Sequence, residues 1–391
     1  MTKSEIDARF LTATSVPAPW SFRALARLMH LASAAWVRSA QIPMLSKGKP
    51  VTPSPATVLA VESGQRGWGL LEFQELWSSA VEFFGVGGVL RVTIVSPRTY
   101  LADVRTCLDD ASATHYLYDP RSGAQGWWRA MAQSFAIASL LARRRITPIA
   151  RLCDFPLRRH RLQCTVVTAC HGIILIGMSP PDVRTFLPHR RVLGPVMMPL
   201  SAARLQNLRE RRDRRTDPDR GRALFNGTLY EPRGAILEAV QSEVRERECE
   251  LEVRTRELGS ARESVESIWE QYLDTEVFFT TATPSNEPGT DRVGLPHLTY
   301  RYTEALAAGA LLVAPAVPGA TELLRPGVHF AAYSSVAGAG AEIARYVLDP
   351  ELRRTMASAG RERVAELVRS QHFWREIDAC LGGRGFVEST K

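Results

Sequence analysis

Little in this sequence points to a covalent or metallic framework. Its six cysteines (Cys107, Cys153, Cys164, Cys170, Cys249, Cys380) are scattered, with no Cys-x-x-Cys pair. That excludes a zinc-ribbon or disulfide scaffold and sets the expectation of a reducing, cytoplasmic setting. No cluster of ligating residues calls for a metal or a cofactor, and none is expected. No apolar run reaches the roughly 18 residues needed to span a bilayer. Arg23, Arg27 and Arg38 interrupt the only early apolar segment, so no secretory leader is expected. There is no Gly-x-Gly-x-x-Gly followed by a ribose-binding acid, hence no dinucleotide fingerprint. No DNA- or RNA-reading motif occurs either, and no nucleic-acid partner is expected despite a formal charge of +8.

The charge is unevenly placed. Residues 1–50 hold seven Lys/Arg against two acids, a local excess of +5. They are read as a basic N-terminal extension. The other basic cluster, Arg209 to Arg222, is mixed with acids and reads as a solvated linker over 206–221. What remains is a chain of 391 residues with 45% apolar content, enough for two globular domains.

From Ser54 short β-branched runs alternate with longer amphipathic segments. ATVLAVES, LRVTIVS, THYLYD, ITPIARLCD and TVVTACHGIILIGMS read as strands. GLLEFQELWSSAVEFF and GWWRAMAQSFAIASLLARRR read as helices. After the charged segment the alternation restarts with ALFNGTLY, RGAILEAVQSEVRER, CELEVRTRE, ESVESIWEQYLD, EVFFTTAT, HLTYRYTEALAAG and ALLVAPA, then a final helical region. The pattern predicts two Rossmann-like, doubly wound α/β domains, 51–205 and 222–391, facing across a cleft. Open α/β sheets bind ligands outside the carboxyl ends of their strands, so residues just after strands are the candidates.

Three such stretches stand out. In FNGTLYEPRGAIL a strand meets Gly227 and the following loop reaches Arg233 before a helix. A cation beside free helix-start N–H groups suits a diphosphate, although Arg233 could equally be an ordinary surface residue. In TPSNEPGTDRVGLPHLTYRYTEALAAG an irregular Pro/Gly loop carries Asp291, and His297, Arg301 and Glu304 follow at spacings of four and three on one helical face. In VAPAVPGATELLRPG a strand is followed by Gly319 and by Glu322, read as the start of a short helix, either a dipole partner or ligand-facing.

Together these stretches resemble the donor-binding half of GT-B fold glycosyltransferases, most closely the family 4-like and CgeB-like glycosyl transferases group 1. Gly227 and Arg233 match the Gly and the cation six residues later. Glu304-Ala-Leu-Ala-Ala-Gly309 matches the hallmark E-A-(M/L)-A-x-G helix, and Gly319-Ala-Thr-Glu322 the downstream G-x-x-E. The resemblance covers residues 221–365. It implies a transferase moving a sugar from a nucleoside-diphosphate sugar to an acceptor hydroxyl, retaining and metal-independent. Glu304 would take the ribose hydroxyls, and Arg233 with the N–H groups opening the next helix would hold the diphosphate. Two positions depart from the pattern. Pro296 stands where many members carry a second Glu, with Asp291, His297 and Arg301 as substitutes, and Thr228 stands where an Arg often follows the strand Gly. These departures keep open a GT-B epimerase or hydrolase, or a silent sugar-nucleotide-binding partner of another transferase.

In the N-terminal half, which the resemblance assigns to the acceptor, the first strand ends in Glu62 and turns through Gly64 and Gly67. Those glycines let backbone approach a ligand. Glu62 is a candidate base there, Asp154 a second one with basic neighbours, and His297 a third catalytic candidate from the other half. The acceptor is a small molecule or a glycan, free or lipid-linked. In residues 21–40, Phe22, Leu25, Met29, Ala32 and Trp36 recur at spacings of three and four, with Arg23, Arg27, His30 and Arg38 on another face. Such a helix packs its stripe on the enzyme's own body, meets a partner protein, or makes peripheral membrane contact.

Overall fold

The computed structural model of the protein describes residues 2–6, 20–45, 58–63, 70–109, 113–123, 126–152, 158–169, 172–177, 191–215, 223–229, 233–256, 264–281 and 298–381. The chain forms two compact units. One comprises Met1–Val16 with Ala202–Arg369, the other Pro17–Ser201 with Ser370–Lys391. They are called here the C-terminal and N-terminal units.

The N-terminal unit is built on six parallel strands: β1 (Leu59–Ser63), β2 (Val89–Thr93), β3 (His115–Tyr118), β4 (Thr147–Leu152), β5 (Ile173–Ile176) and β6 (Val192–Leu193). Their order is β2-β1-β3-β4-β5-β6. IILI over β5 is buried at every position, the continuous apolar run expected of a strand covered on both faces. Leu59, Val61, Leu117, Ile149 and Ile173 pack with Leu76, Ala80 and Phe83 of helix α3 (Leu70–Phe84). The same cluster takes Phe373, Trp374 and Ile377 of the last helix, Ser370–Leu381. Trp374 Nε1 donates to Ser79 Oγ at 3.0 Å, which satisfies the one polar atom of that buried ring. So 370–381, expected within the second domain, completes the core of the first.

Helices α4 (Tyr100–Asp109), α5 (Trp127–Arg143) and α6 (Arg158–Val167) follow β2, β3 and β4. The expected strand TVVTACHGIILIGMS is corrected here. Thr165, Val166 and Val167 belong to α6, and among the described residues of this stretch only Ile173–Ile176 is strand. β-Branched residues favour strands only weakly. Here Val166 is buried in helix packing, and Thr165 Oγ1 donates back to the Arg161 carbonyl at 2.8 Å.

The C-terminal unit carries β7 (Ala223–Thr228), β8 (Leu251–Arg256), β9 (Val277–Phe279), β10 (Leu311–Pro315) and β11 (Ala331–Tyr333), all parallel, in the order β11-β10-β9-β7-β8. Its core joins Phe225, Val277, Phe279 and Val313 to Ile236, Val240 and Val244 of the helix Arg233–Arg245 and to Val336 and Ile343 of Val336–Leu348. Those two helices touch closely. A Cβ on Gly340 would lie 2.4 Å from Glu243 Cβ, so only glycine fits.

The charged stretch from residue 206, expected as a linker, is in part a helix, α7 (Ala202–Asp213), and its charges are fixed rather than merely solvated. Arg204 pairs with Glu266 at 2.9 Å. Arg212 bonds the carbonyls of Leu273 and Thr275 at 2.7 and 3.0 Å and the Glu276 carboxylate at 2.7 Å. The N-terminal extension also divides. The short helix α1 (Lys3–Ile6) lies in the C-terminal unit, where Lys3 pairs with Glu243. Helix α2 (Trp20–Leu45) packs on α5 and α6 in the other unit.

Candidate functional site

In both sheets the first strand in chain order lies between the second and the third. The connections therefore leave in opposite directions, and a crevice opens at the carboxyl ends of the first and third strands. In the C-terminal unit those strands are β7 and β9. β7 ends at Asn226-Gly227-Thr228, β9 runs into Thr280-Thr281, and Arg233 begins the helix after β7, here α8 (Arg233–Arg245).

Arg233 is only 4% exposed. Its Nε donates to Thr281 Oγ1 at 3.1 Å and its Nη1 to the Thr228 carbonyl at 2.8 Å. The guanidinium carbon lies 5.7 Å from the centre of the Phe225 ring. Arg301 approaches the same ring, at 6.0 Å, and its Nε donates to the Asn226 carbonyl at 3.2 Å. Two guanidinium groups thus converge on the end of one strand, and Gly227 makes room for the second. A Cβ there would stand 2.5 Å from Arg301 Nη2 and 3.2 Å from Phe225 Cζ. Gly227→Ala is accordingly expected to lower stability by about 1–3 kcal/mol through overpacking. Most of that cost should vanish in an Arg301→Ala background, because the clashing group is gone. Thermal melts of the four proteins test the coupling; additive losses would place the strain elsewhere.

Helix α10 opens later than its pattern predicted, at Tyr300, and runs to Ala307 between α9 (Val265–Leu273) and α11 (Pro318–Leu323) in chain order. It carries Arg301 and, one turn on, Glu304. Glu304 is 8% exposed, and its Oε2 accepts from Tyr272 Oη at 2.5 Å. Sequence reading missed Tyr272. It shows there only as one of the apolar-face residues of α9, three positions after Trp269, and nothing local links it to a glutamate 32 residues later. Thr281, Phe225 and Tyr333 were missed too. Tyr333 Oη donates to the Thr280 carbonyl at 2.9 Å, tying β11 to the loop beyond β9, and burial pushes its phenol well above the usual range.

The structure brings Gly227, Arg233 and Arg301 together and sets Glu304 one turn beyond. It does not add Glu322, which is exposed and lies in the last turn of the six-residue α11 rather than at its start. Asp291 and His297, like Asp154, Gly64 and Gly67, lie outside the described residues.

In the N-terminal unit the corresponding position belongs to Glu62, at the end of β1. It is 1% exposed, and its Oε1 accepts from the hydroxyls of both Tyr100 and Tyr116. Burial raises its pKa to about 7, against the lowering effect of Ser122 and the two tyrosines. Beside it Arg121 binds Asp119 at 2.7 Å and Glu72 at 2.8 Å, and Arg151 also pairs with Glu72. Burial opposes charge on Glu72 and Asp119, but the two arginines outweigh it and hold both acids below the usual carboxylate range. One sheet end therefore contains carboxylates of opposite habit: two held below the usual carboxylate range and one raised well above it.

Residues 277–379 match the family described as glycosyl transferase-like. Among solved structures, Alr3699/HepE of Anabaena, in complex with UDP and glucose, superposes with a TM-score of 0.50 at 12% identity. The match covers 84% of this chain and 99% of that one. AviGT4, a glycosyltransferase involved in avilamycin A biosynthesis, gives 0.50 at 13% identity, with 84% and 99% covered. No curated protein matches the sequence significantly. The chain carries a glycosyl transferase-like domain in a GT-B fold. The family match begins at β9 and takes in the whole of α10. The matched residues thus include Arg301, Glu304 and Thr281, while Gly227 and Arg233 precede them on β7 and α8. Among the described residues no group of three His, Cys, Asp or Glu could hold a metal ion, and no helix is long and apolar enough to cross a membrane. The four described cysteines, Cys107, Cys164, Cys249 and Cys380, are free thiols.

Proposed function

We propose that the protein transfers a sugar from a nucleoside-diphosphate sugar to an acceptor hydroxyl, with retention and without a metal. The observation that carries this reading is the convergence of Arg233 and Arg301 on the carboxyl end of β7, with Glu304 one turn further along α10. A diphosphate leaving group develops negative charge as the glycosidic bond breaks, and fixed cations at a sheet's ligand-binding end stabilise that charge without reorganising. Glu304, which accepts from Tyr272 at Oε2, would also accept from ribose hydroxyls. The family resemblance of its helix and the glycosyl transferase-like match support this role. That HepE is seen with UDP and glucose supports a uridine nucleotide as the first donor to try.

On the acceptor side Glu62 has the proton affinity of a general base at neutral pH. Its use as one would require the Tyr100 and Tyr116 hydroxyls to give way. Asp154 and His297 are the remaining candidates for that role, with Asp291 and Glu322 as further donor contacts. The acceptor would be a small molecule or a glycan, free or lipid-linked, and in the last case residues 21–40 would bring the enzyme to a membrane from the cytoplasmic side.

The test is a binding panel of UDP, GDP, dTDP and CMP with the wild-type chain and with Glu304→Gln. Gln keeps an oxygen for Tyr272 but loses the charge that strengthens a hydrogen bond to ribose. One nucleotide should bind, and the variant should bind it about tenfold or more weakly, as the loss of one charge-assisted bond implies. The 2′,3′-dideoxy form of that nucleotide should show no such difference. Equal loss for both forms, or none for either, would remove Glu304 from the ribose.

A further inference from the structure

Of the stripe expected on α2 (Phe22, Leu25, Met29, Ala32 and Trp36), Met29 packs inward while Leu25, Ala32 and Trp36 are exposed. Ala26 and Ser33 are buried, and Met29 packs on Ala138 of α5 and Val166 of α6. The large apolar residues are left outside. Leu28 and Leu31 are 64% and 65% exposed, and Leu25 and Trp36 are exposed beside them in the helix. These four lie within 12 residues, about 16 Å of helix. Trp36 turns its indole N–H to Ser139 Oγ of α5 while more than half its surface remains open. Of the eleven exposed large apolar side chains among the described residues, six lie on α2 and α5, Trp127 and Trp128 being the other two. More than half of the exposed large apolar side chains therefore lie on two helices that pack together.

The second observation is electrostatic. Helices α2, α5 and α6 pack on one another, with α5 and α6 against β4 and α2 outermost. Three segments distant in sequence thereby form one layer. They contain no Asp or Glu at all, and eight arginines. Arg27, Arg129 and Arg143 are exposed, and none of the three forms an ion pair among the described residues. α6 is buried from His160 to Val167, Arg161 included, so the outer face belongs to α2 and α5, where Arg27, Arg129 and Arg143 make it cationic.

We propose that the outer face of α2 and α5 is a docking surface for an anionic lipid bilayer, with Leu25, Leu28, Leu31 and Trp36 entering the interface and Arg27, Arg129 and Arg143 facing the headgroups. This deepens the membrane contact proposed above for residues 21–40 and rests on it, not on the sugar transfer. Apolar side chains inserted beside basic ones are the pattern of helices that lie in the plane of an interface, and tryptophan favours that depth. A second copy of the chain fits less well. An isologous contact would set the same acid-free face against itself, bringing like charges together.

Co-sedimentation of the full chain with vesicles tests the proposal, without nucleotide. Vesicles of phosphatidylcholine containing phosphatidylglycerol should carry the protein down at low salt and release it as salt rises. Pure phosphatidylcholine should hold it weakly. The pair Leu28→Glu and Leu31→Glu should abolish binding, and thermal melts should be unchanged because both sites are exposed. Independently, Arg27→Gln with Arg143→Gln should weaken binding by about fivefold for each charge removed. Three results would overturn the proposal. The chain could stay in the supernatant with anionic vesicles at low salt. Both variant pairs could bind like the wild type. Light scattering without lipid could show a dimer that the leucine pair dissolves, which assigns the face to a second copy. Any of them would leave the nucleotide panel untouched, so the two readings fail separately.

Discussion

Glu62→Gln is expected to gain stability over the wild type as pH rises from 5 to 8, by about 3 kcal/mol. The carboxyl sits 1% exposed under two tyrosine hydroxyls, and burial raises its pKa from 4.5 to about 7. A raised acid favours the folded state while it keeps its proton. The contribution is complete below the unfolded value near 4.5 and is lost as pH climbs through the folded value near 7. A span of about 2.5 units at about 1.4 kcal/mol per unit sets the size. Gln removes the titration but keeps an oxygen for the tyrosines. His115 acts in the opposite sense: burial pushes it down to about 4, so its contribution is present above its unfolded value near 6.5 and lost as pH falls through 4. The wild-type profile sums two opposed slopes, and only the difference between the two proteins isolates Glu62. Urea melts of both at pH 5 and pH 8 measure it. Parallel profiles would mean that Glu62 is ionised in the folded state at neutral pH.

The raised proton affinity of Glu62 could not be read from ESGQRGWG. A glutamate ending a strand is predicted as a solvent-facing candidate, and its burial depends on Tyr100 and Tyr116, which come from α4 and β3. The donor side was more legible because its signal is local. Gly227 and Arg233 are six residues apart, and Arg301 and Glu304 are three apart on one helix, so spacing alone put each pair on one element. What spacing could not supply was the contact between the pairs, with Arg301 lying against Gly227 across 74 residues, or the Tyr272 hydroxyl on Glu304.

The same division holds for the fold. Continuous apolar runs such as IILI and LLVAP became the buried parallel strands they predicted. Thr165–Val167 and Ala202–Asp213 did not follow their local reading, and the reasons are opposite. Apolar β-branched residues were taken into a helix because α2, α5 and β4 offered it a packed site. A charged segment was held as helix because Arg204, Arg211 and Arg212 found acids on other elements. The return of Ser370–Leu381 to the first unit rests on Trp374 and Ser79, 295 residues apart, and no local pattern carries it.

Arg233→Ala should cost the protein twice, and the two losses can be separated. Within the fold, the buried guanidinium satisfies the Thr228 carbonyl and bonds Thr281 while covering Phe225. Its removal leaves a part-buried carbonyl short of a partner, at about 1–3 kcal/mol. In ligand binding, loss of a charge-assisted bond to a diphosphate is worth a further tenfold to hundredfold in affinity. Arg233→Lys tests whether charge or shape matters. A lysine is a point charge that cannot serve two partners with the fixed fork of a guanidinium. It should recover part of the diphosphate affinity and little of the stability. Calorimetric titration with the preferred nucleoside diphosphate and with the matching nucleoside, read beside urea melts, resolves the terms. If the variant lowers affinity for the nucleoside as much as for the diphosphate, Arg233 holds the strand end in shape and does not meet phosphate. If only the diphosphate suffers, the cation at the start of α8 acts on the leaving group, and the carboxyl end of β7 is where the glycosidic bond is broken.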